Sequence, residues 1–204
     1  MKLVLNVPCC RDWKAAFGAS LCGLIHRTTS EGINGIKLDG FAMNIMQGAS
    51  VLPRARQLAV SSAIQSGATH LLCLDDDMQF PSDILDNLVK HDVDICAVNY
   101  STKGPKPQPQ THDLEGKPQS SIGKTGLEEV AWVGFGIILI RLDAIKNIPA
   151  PLFETRWMKE KNDFVGEDYY FCGKVRAHGV KIHIDHDASN KVSHVGDYYY
   201  KEVA

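Results

Sequence analysis

Short apolar runs alternate along this chain with longer segments in which apolar residues recur every three to four positions. The apolar runs predict buried strands, and they cover residues 2–7, 41–46, 71–74, 93–98 and 180–184. The periodic segments predict amphipathic helices, which begin after the N-caps Asp12 and Ser82, near Pro53, and at Leu142 and Glu167. Strands that alternate with helices through short links are typical of an α/β fold with a parallel sheet.

The run over residues 71–74 ends abruptly in three carboxylates, Asp75, Asp76 and Asp77. In open α/β sheets, ligands bind just past the carboxyl ends of the strands. Carboxylates one residue apart suit a hard divalent cation such as Mg²⁺ or Mn²⁺. A solvated acidic turn that leads into the next helix is the alternative, and the pattern alone favours neither.

The most apolar stretch, residues 130–140, predicts a central strand that is interrupted by Gly134, Phe135 and Gly136. Glycine weakens a strand unless a ligand or another backbone must come close. The two glycines therefore favour such an approach at this point of the sheet.

Two irregular segments break the alternation. Residues 101–127 are rich in proline and glycine, carry several lysines and have almost no apolar residues, whereas residues 151–166 carry charges and Trp157. Because structureless segments of this length are usually functional or disordered, both are interpreted as mobile loops over the site, with a solvated linker as the alternative for the first. Trp157 either stacks on a sugar or base or packs on its own domain.

Composition limits the classes of function. The chain has 204 residues, of which 44% are hydrophobic, and a formal net charge of -2, which is typical of a soluble globular protein without a strong field for polyanions. No segment reaches the length of a membrane span, and the six cysteines form no CxxC pair. We therefore expect a cytoplasmic location and no membrane span, while a nucleic-acid partner is neither favoured nor excluded.

Three further features are weak when taken singly. Glu167 and Asp168 lie in the first turn of a predicted helix, where acidic charge is favourable in any protein. Arg56 lies near the N-terminus of another helix, which attracts phosphate, although a solvated arginine is the alternative. His194 forms a His-x-Gly sequence, and a single histidine is more often structural than a ligand.

Taken in order, these motifs resemble the GT-A family of nucleotide-sugar glycosyltransferases. The four matches are the DxD motif at Asp75–Asp77, the glycine loop at Gly134–Gly136, the xED motif at Glu167–Asp168 and the C-terminal histidine at His194. The stretches LLCLDDDMQFP and GEDYYFC are similar to short, single-domain members from bacteriophages. The resemblance implies one GT-A, Rossmann-like domain over residues 1–204, with a mixed, mostly parallel sheet flanked by helices.

The resemblance also implies roles for individual residues. Asp77 and His194 would bind Mn²⁺ or Mg²⁺, and Asp75 would contact a metal-bound water or the donor ribose. Asp168 would accept the proton of the acceptor hydroxyl, so that the configuration inverts, and Glu167 would either orient the acceptor or brace the end of the helix. The nucleotide-sugar donor, expected to be a UDP-sugar, would contact a set of residues at the carboxyl ends of the strands: Pro8, Arg56 (through the diphosphate), Asp75, Asp76, Gly134 and Gly136.

The acceptor stays open between two classes, a saccharide or cell-surface glycan and a 5-hydroxymethylpyrimidine in bacteriophage DNA. Trp157 is the first candidate contact, and the tyrosines at positions 198–200 are further candidates. Mildly basic loops and aromatic residues suit DNA, whereas the near-neutral charge opposes it. The rival functions are a sugar-phosphate nucleotidyltransferase, which usually needs a glycine-rich phosphate loop that residues 7–12 lack, and an inactive GT-A binding module.

Overall fold

The computed structural model describes residues 1–160 and 162–196, which form thirteen strands and six helices. The strands are β1 (Lys2–Cys9), β2 (Gly40–Gln47), β3 (His70–Leu74), β4 (Met78–Gln79), β5 (Ile95–Ala97), β6 (Thr111–His112), β7 (Leu127–Val130), β8 (Trp132–Val133), β9 (Ile137–Arg141), β10 (Arg156–Met158), β11 (Asp163–Val165), β12 (Ile182–Asp185) and β13 (Ser193–His194). The helices are α1 (Ala15–Ser30), α2 (Leu52–Gln65), α3 (Ile84–Val89), α4 (Leu142–Ile145), α5 (Glu167–Ala177) and α6 (His186–Ser189).

Seven strands form one twisted sheet in the order β2-β1-β3-β9-β5-β12-β7. Strands β2, β1 and β3 are parallel to one another, and β5 is parallel to β12, whereas β9 and β7 are antiparallel to their neighbours. Helices cover both faces, as expected for strands that are buried on both sides. The prediction of an α/β fold with a mixed, mostly parallel sheet is confirmed.

The core consists of two apolar clusters, one on each face of the sheet, and β3 contributes to both. Leu71 and Cys73 point into the first cluster, while Leu72 and Leu74 point into the second. This alternation follows from the period of two along a strand, and because both faces are covered the strand has no polar side. Replacing any one of these three buried leucines with alanine is expected to cost roughly 2–5 kcal/mol.

The apolar stretch over residues 130–140 differs from its prediction as one interrupted central strand. Only β9 lies at the centre of the sheet, between β3 and β5, whereas β7 is an edge strand that ends at Val130. Between them β8 leaves the sheet and pairs antiparallel with β6, so that part of the 101–127 segment is a strand. The prediction fails for residues 130–133 because Val130 ends an edge strand, whereas Trp132 and Val133 pair in a separate two-stranded sheet before the glycine-containing turn.

The predicted N-caps are also wrong. Helix α1 begins after Lys14 and α3 after Asp83, and neither residue makes a side-chain cap hydrogen bond. Tertiary contacts replace the cap at α1, since the Lys14 amide donates to the Asp76 carbonyl at 3.1 Å. Within the part of the chain that the structure describes, no helix combines the length and apolarity needed to cross a membrane.

Candidate active site

The three aspartates form a loop that is held from two sides. After β3 ends at Leu74, the amide of Asp75 donates to the carbonyl of Gly136 at 2.9 Å. On the other side, the Asp76 carbonyl accepts the hydrogen bond from Lys14 that fixes the start of α1. The loop therefore lies at the carboxyl end of β3 and next to the glycine segment, as the sequence predicts.

A short antiparallel pair brings His194 to this loop. Strands β4 and β13 pair with His194 opposite Met78, and the Val195 amide donates to the Asp77 carbonyl at 2.8 Å. As a result, His194 Nε2 lies 3.3 Å from Asp77 Oδ2. Two residues that are distant in sequence thus meet side by side, and the metal-ligating roles predicted for them are compatible with this geometry.

The other ring nitrogen of His194 fixes the tautomer. Nδ1 lies 2.9 Å from the carbonyl oxygen of Ser101, and because a carbonyl only accepts, Nδ1 must carry a hydrogen. The neutral ring then has its lone pair on Nε2, the atom nearest Asp77, which is the form that ligates a metal. Burial alone would lower the pKa of His194, but the hydrogen bonds that the protonated ring donates to Asp77 and Ser101 outweigh burial and raise it, so that a metal would replace the Nε2 proton.

Lys103, from the irregular segment after β5, forms an ion pair with Asp77 Oδ2. Burial would raise the pKa of Asp77, but His194 and Lys103 together hold it below its ordinary value. The pair is partly open to solvent, with 39% of the Lys103 side chain and 23% of the Asp77 side chain exposed. Sequence reasoning missed Lys103, because nothing in a stretch without periodicity indicates where a lysine will point.

The geometry of Asp77 and His194 fits two neighbouring positions around one cation. In an octahedral site with metal–oxygen distances of about 2.1 Å, adjacent ligand atoms are roughly 3.0 Å apart, and here the two atoms are 3.3 Å apart. No three His, Cys, Asp or Glu side chains among residues 1–160 and 162–196 form a metal-binding group. The remaining positions would be filled by water and substrate oxygens, which is usual for Mg²⁺.

A second, buried ion cluster stands beside the first and is centred on Arg56, which is only 4% exposed. Its Nη2 donates a hydrogen bond to Asp75 Oδ1 at 3.3 Å. Its Nη1 lies 3.1 Å from Glu167 Oε1, which is an ion-pair distance but without hydrogen-bond geometry. The guanidinium also lies over the ring of Phe135, 4.5 Å from the ring centre. Arg56 thereby joins three of the predicted motifs, and its predicted contact with a donor diphosphate stays a prediction.

Asp75 faces Arg56, whereas Asp77, with only one residue between them, faces His194. Burial raises the pKa of Asp75 to about 6, even though Arg56 opposes the shift. The sequence places Asp75 and Asp77 together, but the turn after β3 sends their side chains to different partners. The predicted contact of Asp75 with the metal or the ribose therefore stays a prediction.

Asp168 lies in the first turn of α5, directly after Gly166 and Glu167. Burial, followed by the neighbouring charge of Glu167, raises the pKa of Asp168. One carboxylate oxygen accepts from the Tyr169 amide at 2.7 Å. A side chain at position 166 would displace this carboxylate, because a Cβ there would lie 2.7 Å from Asp168 Oδ1. The carboxylate is thus held in place by its own helix turn, and its pKa lies above the ordinary value of an aspartate.

Tyr100 accounts for the two glycines of the loop. A Cβ at Gly134 would lie 2.5 Å from the Tyr100 hydroxyl, and one at Gly136 would lie 2.6 Å from Tyr100 Cε1. The hydroxyl also accepts a hydrogen bond from the Gly136 amide at 3.1 Å, and the ring packs edge-on against His194 at 5.2 Å. Here the predicted close approach is made by a side chain of the protein, and contact of the glycines with a donor stays a prediction. The position of Tyr100 just past β5 was the signal that could have found it.

A cleft of about 210 Å³ brings together several of the predicted residues. It is lined by Pro8, Cys10, Ala49, Leu52, Asp75, Asp76, Asp77 and His194. Trp157 lies elsewhere, on the β10–β11 hairpin, where it is 53% exposed and packs edge-on against Phe164. It lines a separate groove of about 630 Å³ along α5, so its role with an acceptor stays a prediction. Positions 198–200 lie outside the described residues.

No protein-family model and no curated protein matches the sequence. Among solved structures, the chain is similar to A197 from STIV at 16% identity and a TM-score of 0.58, with 100% of this chain and 99% of that chain covered. It is also similar to GalNAc-T7, which was solved with UDP, GalNAc and Mn²⁺, at 13% identity and a TM-score of 0.59, with 96% of this chain covered. The chain spans 44% of the length of GalNAc-T7. At these identities the likeness shows the fold, which is the predicted GT-A, Rossmann-like fold, and the similarity to bacteriophage members stays a prediction.

Proposed function

We propose that this protein is a metal-dependent glycosyltransferase that moves a sugar from a nucleotide-sugar, with UDP as the expected nucleotide, to an acceptor hydroxyl. The observation that carries the proposal is the meeting of Asp77 and His194, 3.3 Å apart at the carboxyl end of β3. Arg56 connects this loop to the acidic start of α5. Ligand sites of open α/β sheets lie at this end of the strands.

The chemistry assigns a separate task to each acidic group. When bound, Mn²⁺ or Mg²⁺ supplies positive charge to the leaving nucleoside diphosphate, and Asp77 with His194 would bind it. Asp168 accepts the proton of the acceptor hydroxyl. The hydroxyl oxygen bonds to the anomeric carbon of the donor sugar as the bond from that carbon to the diphosphate breaks. Attack opposite the leaving group inverts the configuration. The raised pKa of Asp168 supports this role, since a base works best when its pKa is near the working pH.

The donor is proposed to lie in the 210 Å³ cleft, against Pro8 and Asp76 and near the glycine segment. Asp75 and Glu167 would keep their orientation through Arg56, so that Arg56 supports the donor side and the acceptor side together. Asp75 is proposed to reach the donor ribose or a metal-bound water with the oxygen that Arg56 leaves available.

The acceptor is proposed to enter along the groove beside α5. Its lining combines an exposed ring, Trp157, with the cations Arg156, Lys159 and Lys174. A flat ring can stack on a sugar or on an extruded base, and the cations suit an anionic backbone. Both acceptor classes, a saccharide and a 5-hydroxymethylpyrimidine in DNA, are therefore to be tested.

The test is to incubate the protein with a panel of nucleotide-sugars and Mn²⁺, and to measure the released nucleoside diphosphate and the glycosylated product by mass spectrometry. Asp168→Asn should retain donor binding and lose at least about a hundredfold in transfer rate, because general base catalysis contributes roughly 10²–10⁴. Asp163→Asn is the matched control, since Asp163 is an exposed aspartate on β11, and it should transfer at the rate of the wild type.

Other products would point to the rival functions. Formation of pyrophosphate from a nucleoside triphosphate and a sugar phosphate would identify a nucleotidyltransferase. Donor binding with no release of diphosphate, in the presence of both acceptor classes, would favour an inactive binding module. Unchanged transfer by Asp168→Asn would remove Asp168 as the base.

A further inference from the structure

Lys103 places a positive charge against a ligand atom of the proposed metal site. The ammonium group of Lys103 contacts Asp77 Oδ2, and the same oxygen lies 3.3 Å from His194 Nε2. A cation that binds Asp77 and His194 together must approach this oxygen. The ammonium group and a divalent ion therefore compete for one carboxylate, and their charges repel each other at such a short separation.

Lys103 is held in this position by its own segment. The Thr102 amide donates to the Gln108 carbonyl at 2.8 Å, and the Gln108 amide donates to Thr102 Oγ1 at 2.9 Å. A further bridge joins Ser101 to Pro109. These bonds close residues 101–109 into a small loop that presents Lys103 to the aspartates.

The lysine can leave without disrupting that loop. Its side chain is 39% exposed, and its stem runs beside Gly196, where an added Cβ would lie 3.6 Å from Lys103 Cδ. A lysine stem is flexible and its ammonium group is strongly hydrated, so rotation about the stem moves the charge into solvent. The hydrogen bond from His194 Nδ1 to the Ser101 carbonyl is not part of this movement.

We propose that Lys103 is an internal cation that neutralises Asp77 before the metal arrives, and that a divalent ion binds only by displacing it. This inference rests on the metal site of the proposed function. Lys103 would then set the affinity of the site for the divalent ion. In the absence of any other ligand, the ion should bind more weakly when Lys103 is present than when it is replaced by an uncharged residue.

The test is the affinity for Mn²⁺ alone, measured by isothermal titration calorimetry and by the electron paramagnetic resonance signal of unbound Mn²⁺. Lys103→Met should bind Mn²⁺ about fivefold more tightly than the wild type, the size expected when a partly exposed ion pair no longer competes. Lys103→Arg keeps the charge and should stay within about twofold of the wild type. Lys106→Met is the matched control, because Lys106 is an exposed lysine of the same segment.

A double variant separates this inference from the proposed function. Lys103→Met with Asp77→Asn should lose the gain, which would locate the ion at Asp77. If the wild type binds Mn²⁺ through Asp77 but Lys103→Met binds no more tightly, the competition is wrong and the metal site stands. If no variant binds Mn²⁺, the inference and the metal dependence of the proposed function are both wrong. If Lys106→Met raised the affinity for Mn²⁺ as much as Lys103→Met, the gain would come from the net charge of the segment and not from the contact with Asp77. That result would overturn the inference.

Discussion

Two ion clusters lie side by side on Asp75 and Asp77 of one loop, and they differ in the exposure of the cation that pairs with each aspartate. The cluster at Asp75 has a buried cation, Arg56, which also contacts Glu167 and the ring of Phe135. The cluster at Asp77 has a partly exposed cation, Lys103, on a long stem. The planar arginine suits a fixed, multiple contact, whereas the lysine behaves as a single movable charge.

The difference indicates a division of work within the loop. The buried Arg56 fixes the relative position of the two acidic motifs, because removing either of its carboxylate partners leaves a buried guanidinium with less compensation. An open pair contributes little to stability, so its carboxylate remains able to exchange one cation for another. The sequence Asp-Asp-Asp shows none of this asymmetry, which is a property of what surrounds each side chain.

The largest effect is expected from breaking the closed cluster. Arg56→Met removes the buried guanidinium from between Asp75 and Glu167, whose side chains are 28% and 12% exposed, and should lower the free energy of unfolding by about 3–5 kcal/mol, measured by urea denaturation. Arg54→Met is the matched control, since Arg54 is an exposed arginine on the same helix, and it should stay within about 0.5 kcal/mol of the wild type. Equal stability of the two variants would contradict the closed cluster.

The second largest loss of stability is expected where Tyr100 packs against Gly136, next to both ion clusters. Gly136→Ala places a Cβ 2.6 Å from the Tyr100 ring and should destabilise the fold by up to about 3 kcal/mol through overpacking. Gly173→Ala is the control, because a Cβ there meets nothing within 4 Å on the exposed side of α5, and alanine should stabilise that helix by up to about 1 kcal/mol. Chemical denaturation of both variants measures the difference. A Gly136→Ala variant as stable as Gly173→Ala would show that Tyr100 does not fill the space.

A third carboxylate, fully buried outside the site, extends the comparison to pH. Burial would raise the pKa of Asp185, but hydrogen bonds from the Ala188 amide, His91 and Lys90 hold it below its ordinary value of 3.8. A lowered carboxylate pKa stabilises the fold above the unfolded value, and this contribution is lost as the pH falls through the folded value.

For this reason, Asp185→Asn should be less stable than the wild type by about 2 kcal/mol at neutral pH. The difference should narrow once the pH falls below 3.8 and through the lowered pKa of Asp185, where the wild-type carboxylate becomes protonated. Urea denaturation across the pH range measures both curves. A gap that stays constant throughout the acidic range would contradict the assignment of the charge to Asp185.

The fold could be predicted from the sequence because the patterns that indicate its strands and helices are local. The apolar run over residues 71–74 is buried on both faces, and such runs alternate with helices that have one apolar side. The positions of the aspartates after β3 and of the acidic start of α5 were predicted for the same reason, since each is a short motif at the end of a strand or the start of a helix. His194 was singled out only because its His-x-Gly sequence resembles a family motif.

The rest depends on contacts between segments that are distant in sequence. Nothing local shows that β4 and β13 pair, that Tyr100 fills the space beside the glycines, or that Lys103 turns toward Asp77. The error over residues 130–133 has the same origin, because an apolar run does not reveal which sheet it joins. Arg56 was found near a helix N-terminus, but the partners that bury it come from β3 and α5.

The most direct measurement is the thermal unfolding of the wild type against a panel of nucleoside diphosphates that includes UDP, with and without Mn²⁺, in parallel with Asp77→Asn. A ligand at 100 times its dissociation constant adds about 2.7 kcal/mol of stability, which is a visible shift in Tm. We predict that one diphosphate stabilises the wild type only when Mn²⁺ is present, and that Asp77→Asn loses this shift. If no diphosphate stabilises the wild type under either condition, or if Asp77→Asn is stabilised equally, the site at Asp77 and His194 does not bind a metal and a nucleoside diphosphate.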